Sequence, residues 1–147
     1  DDLEYIGAQN DFTLYPYLSE KSKDIECLFV ERTKHLLKDD GIAAIVLPSS
    51  ILNNTGIQTK TREIILQYFD IVAIAELGGN TFMATNTNTV TLFLKRKSNQ
   101  ESIKLKNYVN KFCTEFIDNT INQIEKPISK YVNHVWGNIS FEDYVSL

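Results

Sequence analysis

Two short apolar runs constrain the fold of this chain more than any other feature. Residues 42–48 read IAAIVLP and follow a glycine, and residues 71–77 read IVAIAEL and precede two glycines. Each run is too short for a buried helix, and turn-forming residues bound both. Such runs are typical of strands that are covered on both faces, as in a parallel sheet. We therefore expect two buried strands at these positions.

The segment between the two runs has the spacing of a helix. Thr59 or Thr61 is a candidate N-cap for a helix that carries one apolar side, formed by Ile64, Ile65, Tyr68 and Phe69. The order strand, helix, strand predicts a βαβ unit, in which two parallel strands lie side by side with a right-handed crossover. A third strand is expected near residues 88–96, which are rich in β-branched and aromatic residues. The fold class is therefore α/β.

Further helices are expected on either side of this unit. Residues 24–38 place apolar side chains at helical spacing and end shortly before a glycine. After residue 98 the spacing is helical again, with Pro127 suited to the first turn of a helix and Gly137 to its end. Ser140 begins an N-cap box for another helix. We divide the chain into a loop-rich lead-in (1–23), an α/β part (24–97) and a helical extension (98–147).

The expected sheet places two loops on one edge. Parallel strands end at the same edge of a sheet, and open α/β sheets bind their ligands there. The two loops are residues 48–56 and 78–87, and the second exceeds the roughly 2–6 residues that usually connect α/β elements. Its one aromatic residue, Phe82, either packs into the core as an anchor or faces a bound ligand.

The charge and the chemistry-bearing residues exclude several classes. A net charge of −4 argues against a free-standing nucleic-acid-binding domain. The basic triplet at residues 95–97 either contacts phosphates or is a solvated strand end.

Cys27 and Cys113 lie among apolar residues and are expected to be packed, reduced thiols, and the two isolated histidines predict no metal site. With no apolar run of membrane-spanning length and no secretory signal, we expect a cytoplasmic protein.

Several segments match a known family in order and at suitable spacing. They are LFVERT (28–33), LLKDDG (36–41), IVLPSSILNN (45–54), ELGGNTF (76–82), TNTNT (85–89) and LFLK (92–95). Together they resemble the N-6 adenine DNA methylase family, above all the modification subunits of type I restriction systems and fused restriction–modification enzymes. The resemblance implies a partial Rossmann-like methyltransferase sheet, a βαβ unit plus a further strand, followed by a helical C-terminal segment. The α/β part would then be the C-terminal half of a methyltransferase domain.

The resemblance also implies a site. Enzymes of this family transfer a methyl group from S-adenosylmethionine to N6 of an adenine that is swung out of the DNA duplex. Phe82 would stack on one face of that base, and Phe29 would lie beside the adenosine part of the cofactor. Residues of the two loops would line the same cleft, namely Pro48, Asn53, Asn54 and Asn86.

The motifs that carry the family's chemistry do not occur in this sequence. The family binds its cofactor through a Gly-rich loop and an acidic residue, and it holds the adenine amino group with Asn-Pro-Pro-Tyr/Phe. We therefore expect a fragment without a catalytic residue of its own, which neither binds the cofactor alone nor acts in isolation. The parent enzyme would work with DNA, a specificity subunit or fused recognition domain, and a restriction component. The alternative is a non-catalytic, methylase-like module that docks partners or DNA through its helical tail.

Overall fold

The computed structural model describes residues 11–18, 24–78, 87–137 and 139–146. Its strands are β1 (Ile42–Pro48), β2 (Phe69–Leu77) and β3 (Thr89–Arg96), and its helices are α1 (Glu26–Leu36), α2 (Ile57–Tyr68), α3 (Asn99–Glu115), α4 (Pro127–Trp136) and α5 (Phe141–Ser146). Short 3-10 helices cover Tyr15–Tyr17 and Ser49–Leu52. The α/β class and the three expected strands are thereby confirmed. Phe82 and Asn86 lie outside the described residues.

The three strands form one sheet in the order β1-β3-β2. β3 pairs antiparallel with both neighbours, so β1 and β2 run in the same direction, as predicted. The prediction that they lie side by side was wrong, because β3 occupies the position between them. A strand that comes later in the chain can insert between two earlier ones, and the local pattern of β1 and β2 carries no sign of this long-range pairing.

One face of the sheet is open. On β1 the exposed and partly buried residues alternate, with Ile42 70% and Val46 48% exposed. The register aligns Ala44 with Phe93, and Phe93 is 37% exposed on the same face. The prediction of strands covered on both faces was therefore wrong for the described residues. An apolar run shows that a strand suits burial on both sides, but not that the covering layer belongs to the same segment.

The opposite face of the sheet carries the hydrophobic core. Leu92 and Leu94 of β3 are 1% and 0% exposed, and helices α1 and α2 pack over them. The remaining core members come from the 3-10 helices and their neighbours, from α1 and α2, and from the strands: Leu14, Cys27, Leu28, Val30, Leu47, Ile51, Ile57, Ile64, Ile65, Phe69 and Val90. The fold is therefore a single sheet with helices packed on one side of it.

The helix ends follow from local chemistry, and one of them differs from expectation. α2 begins at Ile57 behind Gly56, whose φ of 75° is costly for other residues. Neither Thr59 nor Thr61 is the N-cap, and the Thr61 hydroxyl instead donates to the carbonyl of Ile57 at 2.8 Å. That threonine cap was predicted wrongly, because a glycine provided the required backbone turn earlier.

The helix ends of the extension agree with the sequence. Pro127 occupies the first turn of α4, and Gly137, at φ 63°, ends it. The Ser140 hydroxyl accepts from the backbone N–H of Asp143 at 3.1 Å and so caps α5. Helix α1 is shorter than the expected 24–38, since Leu37 is already extended. Within the described segments, no helix combines the length and apolarity needed to cross a membrane.

Candidate functional site

The ends of the strands meet around one cavity. The register places Thr89, the first residue of β3, between Pro48 at the end of β1 and Leu77 at the end of β2. A cavity of about 410 Å³ opens there, and its described lining is Ser49, Glu76, Leu77, Gly78, Asn88, Thr89 and Val90. The backbone N–H of Ser49 donates to the carbonyl of Asn88 at 2.9 Å, which ties the two loop ends together. The prediction that both loops leave one edge of the sheet is confirmed. We call this space the rim cavity.

Thr89 is the most unusual polar residue of the rim cavity. It is 8% exposed, and its hydroxyl has no hydrogen-bond partner among the residues that the structure describes. A buried hydroxyl without a partner costs about 1–3 kcal/mol. A ligand that offers a donor or an acceptor to this hydroxyl would recover that cost.

Glu76 contributes the one charge of the described lining. It is exposed and pairs in register with Val90. A carboxylate is an acceptor only, so it favours groups that carry N–H or O–H donors and disfavours phosphate. The rim cavity is therefore suited to a neutral, hydrogen-bonding group rather than to an anion.

Sequence reasoning identified the rim but not these two residues. Glu76 lies near the end of β2, and Thr89 is the first residue of β3. Both are at the sheet edge where a site was expected. Their position in the lining depends on the antiparallel register of β3. That pairing is long-range, so no local pattern could have identified them.

The predicted cleft residues are placed unevenly. Pro48 ends β1 directly before Ser49 and is partly buried at the rim. Asn53 and Asn54 are exposed, and their backbone N–H groups donate to the carbonyl of Ser50 at 3.2 and 2.9 Å. Neither asparagine is part of the described cavity lining. Their role in binding stays a prediction, as do the roles of Phe82 and Asn86.

Phe29 lies on the outer side of α1. Its side chain is 59% exposed, and Ile25 and Leu36, on the same helical stripe, are 38% and 73% exposed. Residues at this spacing share one face of a helix. The stripe is thus an apolar surface that is free within the described part of the chain, and the expected contact of Phe29 with a cofactor stays a prediction.

Two residues of the basic triplet, Arg96 and Lys97, have structural roles. Arg96 and Lys97 are 6% and 5% exposed. The Lys97 ammonium donates to the carbonyls of Leu66 at 3.0 Å and Phe69 at 2.6 Å, around the C-terminal end of α2. Burial lowers the pKa of Lys97, and the nearby Asp70 opposes this effect.

Arg96 completes this arrangement. Its guanidinium donates to the carbonyl of Lys97 at 2.7 Å and to the side-chain oxygen of Asn99 at 2.9 Å. Both interpretations of the triplet, phosphate contact and solvated strand end, were therefore wrong for Arg96 and Lys97. Lys95 alone is solvated, and it pairs with Asp40 at 2.9 Å. Sequence cannot separate these cases, because the carbonyl groups that enclose Lys97 belong to residues 66 and 69, far away along the chain.

The two cysteines are packed thiols, as expected. Cys27 is fully buried, and burial raises its pKa, although a hydrogen bond with Thr61 opposes this effect. Burial raises the pKa of Cys113 to about 11. Thiols at such values stay protonated at neutral pH and are poor nucleophiles. Among the described residues, no group of three or more His, Cys, Asp or Glu side chains could hold a metal ion.

A three-stranded sheet with helices on one side and a polar cavity at one edge defines this chain as a mixed α/β protein. The profile of the family described as N-6 DNA Methylase matches residues 5–143, and the chain belongs to that family. It is also similar to the protein named Type II methyltransferase M.CvrRI from Paramecium bursaria Chlorella virus XZ-6E, with 35% identity over 74 residues. This alignment covers 50% of the chain and 19% of that relative. The resemblance seen in the sequence is confirmed at the level of the family.

Proposed function

We propose that this chain is part of the catalytic domain of a DNA adenine-N6 methyltransferase of a restriction–modification system. The full-length enzyme would transfer a methyl group from S-adenosylmethionine to a flipped adenine in DNA. The observation that carries the proposal is the rim cavity, in a chain of the N-6 DNA methylase family. The name of the viral relative, a type II methyltransferase, supports the same chemistry.

The rim cavity would receive the extruded base. Phe82 belongs to the connection between β2 and β3, and both ends of that connection, Gly78 and Asn88, line the cavity. Phe82 is four residues from Gly78 along the chain. At about 3.3–3.6 Å for each residue, its Cα can lie no farther than about 14 Å from that of Gly78. Within this reach, we propose that the aromatic ring stacks on the base with about 1–3 kcal/mol.

The polar lining would contribute hydrogen bonds to the same base. A nucleobase is neutral and presents both donors and acceptors. The Thr89 hydroxyl could serve either kind of group, and the Glu76 carboxylate could accept from an N–H donor. A neutral base fits this lining better than a phosphate does, because the carboxylate would repel an anion.

The cofactor would be held mainly by residues of the full-length enzyme outside this chain. Phe29 offers an exposed ring, which suits contact with an adenosine, but a ring alone supplies no hydrogen bonds for ribose or methionine. S-adenosylmethionine would provide the activated methyl group. We propose that the isolated chain therefore transfers no methyl group and that Phe29 acts only as one wall of the cofactor site.

The proposal is tested in the full-length enzyme with Phe82→Ala and Thr89→Val. Phe82→Ala removes the stacking ring, so kcat/KM for methylation of cognate DNA should fall about 10- to 100-fold, with the Kd for S-adenosylmethionine unchanged. Thr89→Val removes the hydroxyl, so its kcat/KM should fall by up to about tenfold. Its stability should not fall, since no described partner is left unsatisfied.

Matched controls separate the site from general damage. Phe116→Ala removes a 59% exposed aromatic ring at the end of α3, and Thr91→Val removes a hydroxyl two residues along β3. Both control variants should retain the parent rate. Unchanged kinetics in Phe82→Ala and Thr89→Val would remove the rim cavity from the reaction. Absence of methyl transfer by the parent enzyme itself would contradict the proposed function.

A second candidate is a non-catalytic, methylase-like docking module. It is favoured by the exposed apolar side chains of α4, where Tyr131, Val135 and Trp136 are 58%, 49% and 53% exposed. Under this alternative, Trp136→Ala would weaken binding of a partner or of DNA. Methyl transfer by the full-length protein that is unaffected by Trp136→Ala would exclude it.

A further inference from the structure

We propose that residues 121–124 form a latch that closes the outer edge of β2 and thereby joins the helical extension to the sheet. In the described sheet, β2 has β3 on one side only, so its other edge presents unpaired backbone groups. Such edges add strands from other chains unless something blocks them. The side chain of Asn122 covers this edge at Ile71 by hydrogen bonding to its backbone. The inference concerns the fold and does not rest on the proposed function.

The latch is a tight two-residue turn. Ile121 and Ile124 exchange hydrogen bonds, with the Ile121 N–H donating to the Ile124 carbonyl at 3.0 Å and the reverse bond at 2.9 Å. The two residues between them, Asn122 and Gln123, have φ values of 51° and 63°. Two positive φ values in succession define a type I′ turn, in which asparagine is a preferred residue. Ile121 is 6% exposed, so the turn is anchored by a buried side chain.

The Asn122 carboxamide imitates the backbone of a pairing strand. Its Oδ1 accepts from the backbone N–H of Ile71 at 2.9 Å, and its Nδ2 donates to the Ile71 carbonyl at 3.2 Å. A neighbouring strand would use the same donor and acceptor of Ile71 in the same way. The position is also the site of a register shift between Ile71 and Ala73, and bulges of this kind disturb the ladder at sheet edges. The Asn122 carboxamide and the bulge together prevent another strand from pairing with this edge.

Other contacts join the extension to the same part of the fold. The Gln67 side chain of α2 donates to the Ser102 carbonyl of α3 at 3.2 Å, and the Ser102 hydroxyl accepts from Arg96 at 3.3 Å. The extension is therefore attached to the sheet at two places, through α3 and through the latch. Helix α3 and the segment up to the latch therefore belong to the α/β fold.

The test is hydrogen exchange of the Ile71 amide in the full chain. Asn122→Gly keeps the positive φ and removes the carboxamide, whereas Gln123→Gly makes the same backbone change and keeps it. We expect exchange at Ile71 to be about tenfold faster in Asn122→Gly, with Gln123→Gly like the parent. Sedimentation should show stronger self-association for Asn122→Gly than for Gln123→Gly.

A second variant keeps the proposal falsifiable if Asn122→Gly fails to fold. Asn122→Asp retains an acceptor for the Ile71 N–H, so it should keep the Ile71 amide protected as in the parent. Equal exchange at Ile71 in the parent and in Asn122→Gly, or equal association of the two glycine variants, would overturn the latch. For a misfolded Asn122→Gly, fast exchange of the Ile71 amide in Asn122→Asp would overturn it.

Discussion

At the scale of single residues, the structure separates charges that serve the fold from charges that face solvent. Lys95 and Lys97 are two positions apart on a basic triplet, yet one is exposed and the other is enclosed by carbonyl oxygens at the end of α2. A cation at this end complements the helix dipole. The buried lysine therefore fixes the end of α2 against the start of the extension.

Replacement of Lys97 by alanine should destabilise the chain. The change leaves the carbonyls of Leu66 and Phe69 without this donor and removes the partner of Asp70, so we expect a loss of about 2–3 kcal/mol in the free energy of unfolding. Urea denaturation at pH 7 measures it. Lys95→Ala is the matched control and should unfold like the parent. Equal midpoints for the two variants would contradict the assigned role.

Sequence reasoning at this scale succeeds where the chemistry is local. Pro127, Gly137 and Ser140 were assigned correctly to helix ends, because each acts on its own backbone or on a group a few residues away. The prediction of a threonine N-cap for α2 was wrong because the helix begins earlier, with Gly56 as its N-cap. Burial of Lys97 could not be foreseen, since it depends on carbonyl groups about 30 residues earlier in the chain.

At the scale of elements, one carboxylate fastens the lead-in segment to α1. Glu31 is fully buried, and it accepts from the backbone N–H groups of Thr13 and Leu14 at 2.9 and 3.0 Å and from the Thr13 hydroxyl at 2.6 Å. Leu14 joins the core beside it. The segment 11–18, part of the expected loop-rich lead-in, is thus held against α1 by Glu31.

The stability contributed by Glu31 should depend on pH. Burial by itself would raise the pKa of Glu31, but the hydrogen bonds from Thr13 and Leu14 and the charge of Lys34 together lower it. A lowered pKa means that the contribution is present above the unfolded value of about 4.3 and is lost as the pH falls through the folded value. Glu31→Gln should therefore cost about 1–3 kcal/mol at pH 7 and progressively less below about pH 4.

Urea unfolding of the parent and Glu31→Gln between pH 3 and 7 checks this expectation. Glu125→Gln removes an exposed carboxylate and should match the parent at pH 7. A difference between the parent and Glu31→Gln that stays constant down to pH 3 would show that the ionised carboxylate is not what binds the segment.

The strands themselves were predictable, and their order was not. Apolar composition located β1 at its observed bounds and the other two strands within two residues of theirs. The position of β3 between β1 and β2 depends on backbone pairing across about 50 residues between Ile42 and Lys95. No periodicity within a strand identifies its neighbouring strand. The shared edge of the two loops could therefore be predicted, whereas the residues that line the rim cavity could not.

At the scale of the whole molecule, the described residues leave one face of the sheet uncovered. Phe93 stands at its centre, with alanines opposite it on both neighbouring strands, Ala44 and Ala73. Exposed apolar patches of this kind mark surfaces that other protein covers. We expect other protein surface to cover this face.

The chain on its own should associate through this face. Phe93→Thr retains a residue that favours strands and removes the central ring, so it should weaken concentration-dependent association and lower the binding of a hydrophobic dye. Sedimentation and dye fluorescence measure these effects. Ile103→Thr removes a 74% exposed side chain on α3 and should change neither. Equal weakening by both substitutions would assign the association to general surface hydrophobicity.

The pairing of Thr89 with Pro48 and Leu77 leaves the length of the connection between β2 and β3 free to vary. Adjacent strands are about 4.7–4.9 Å apart, yet eleven residues (78–88) connect Leu77 to Thr89. The connection is many times longer than the gap, and doubling its length would cost only about 0.6 kcal/mol in closure entropy. Insertions and substitutions between Gly78 and Asn88 can therefore accumulate while the three strands keep their alignment.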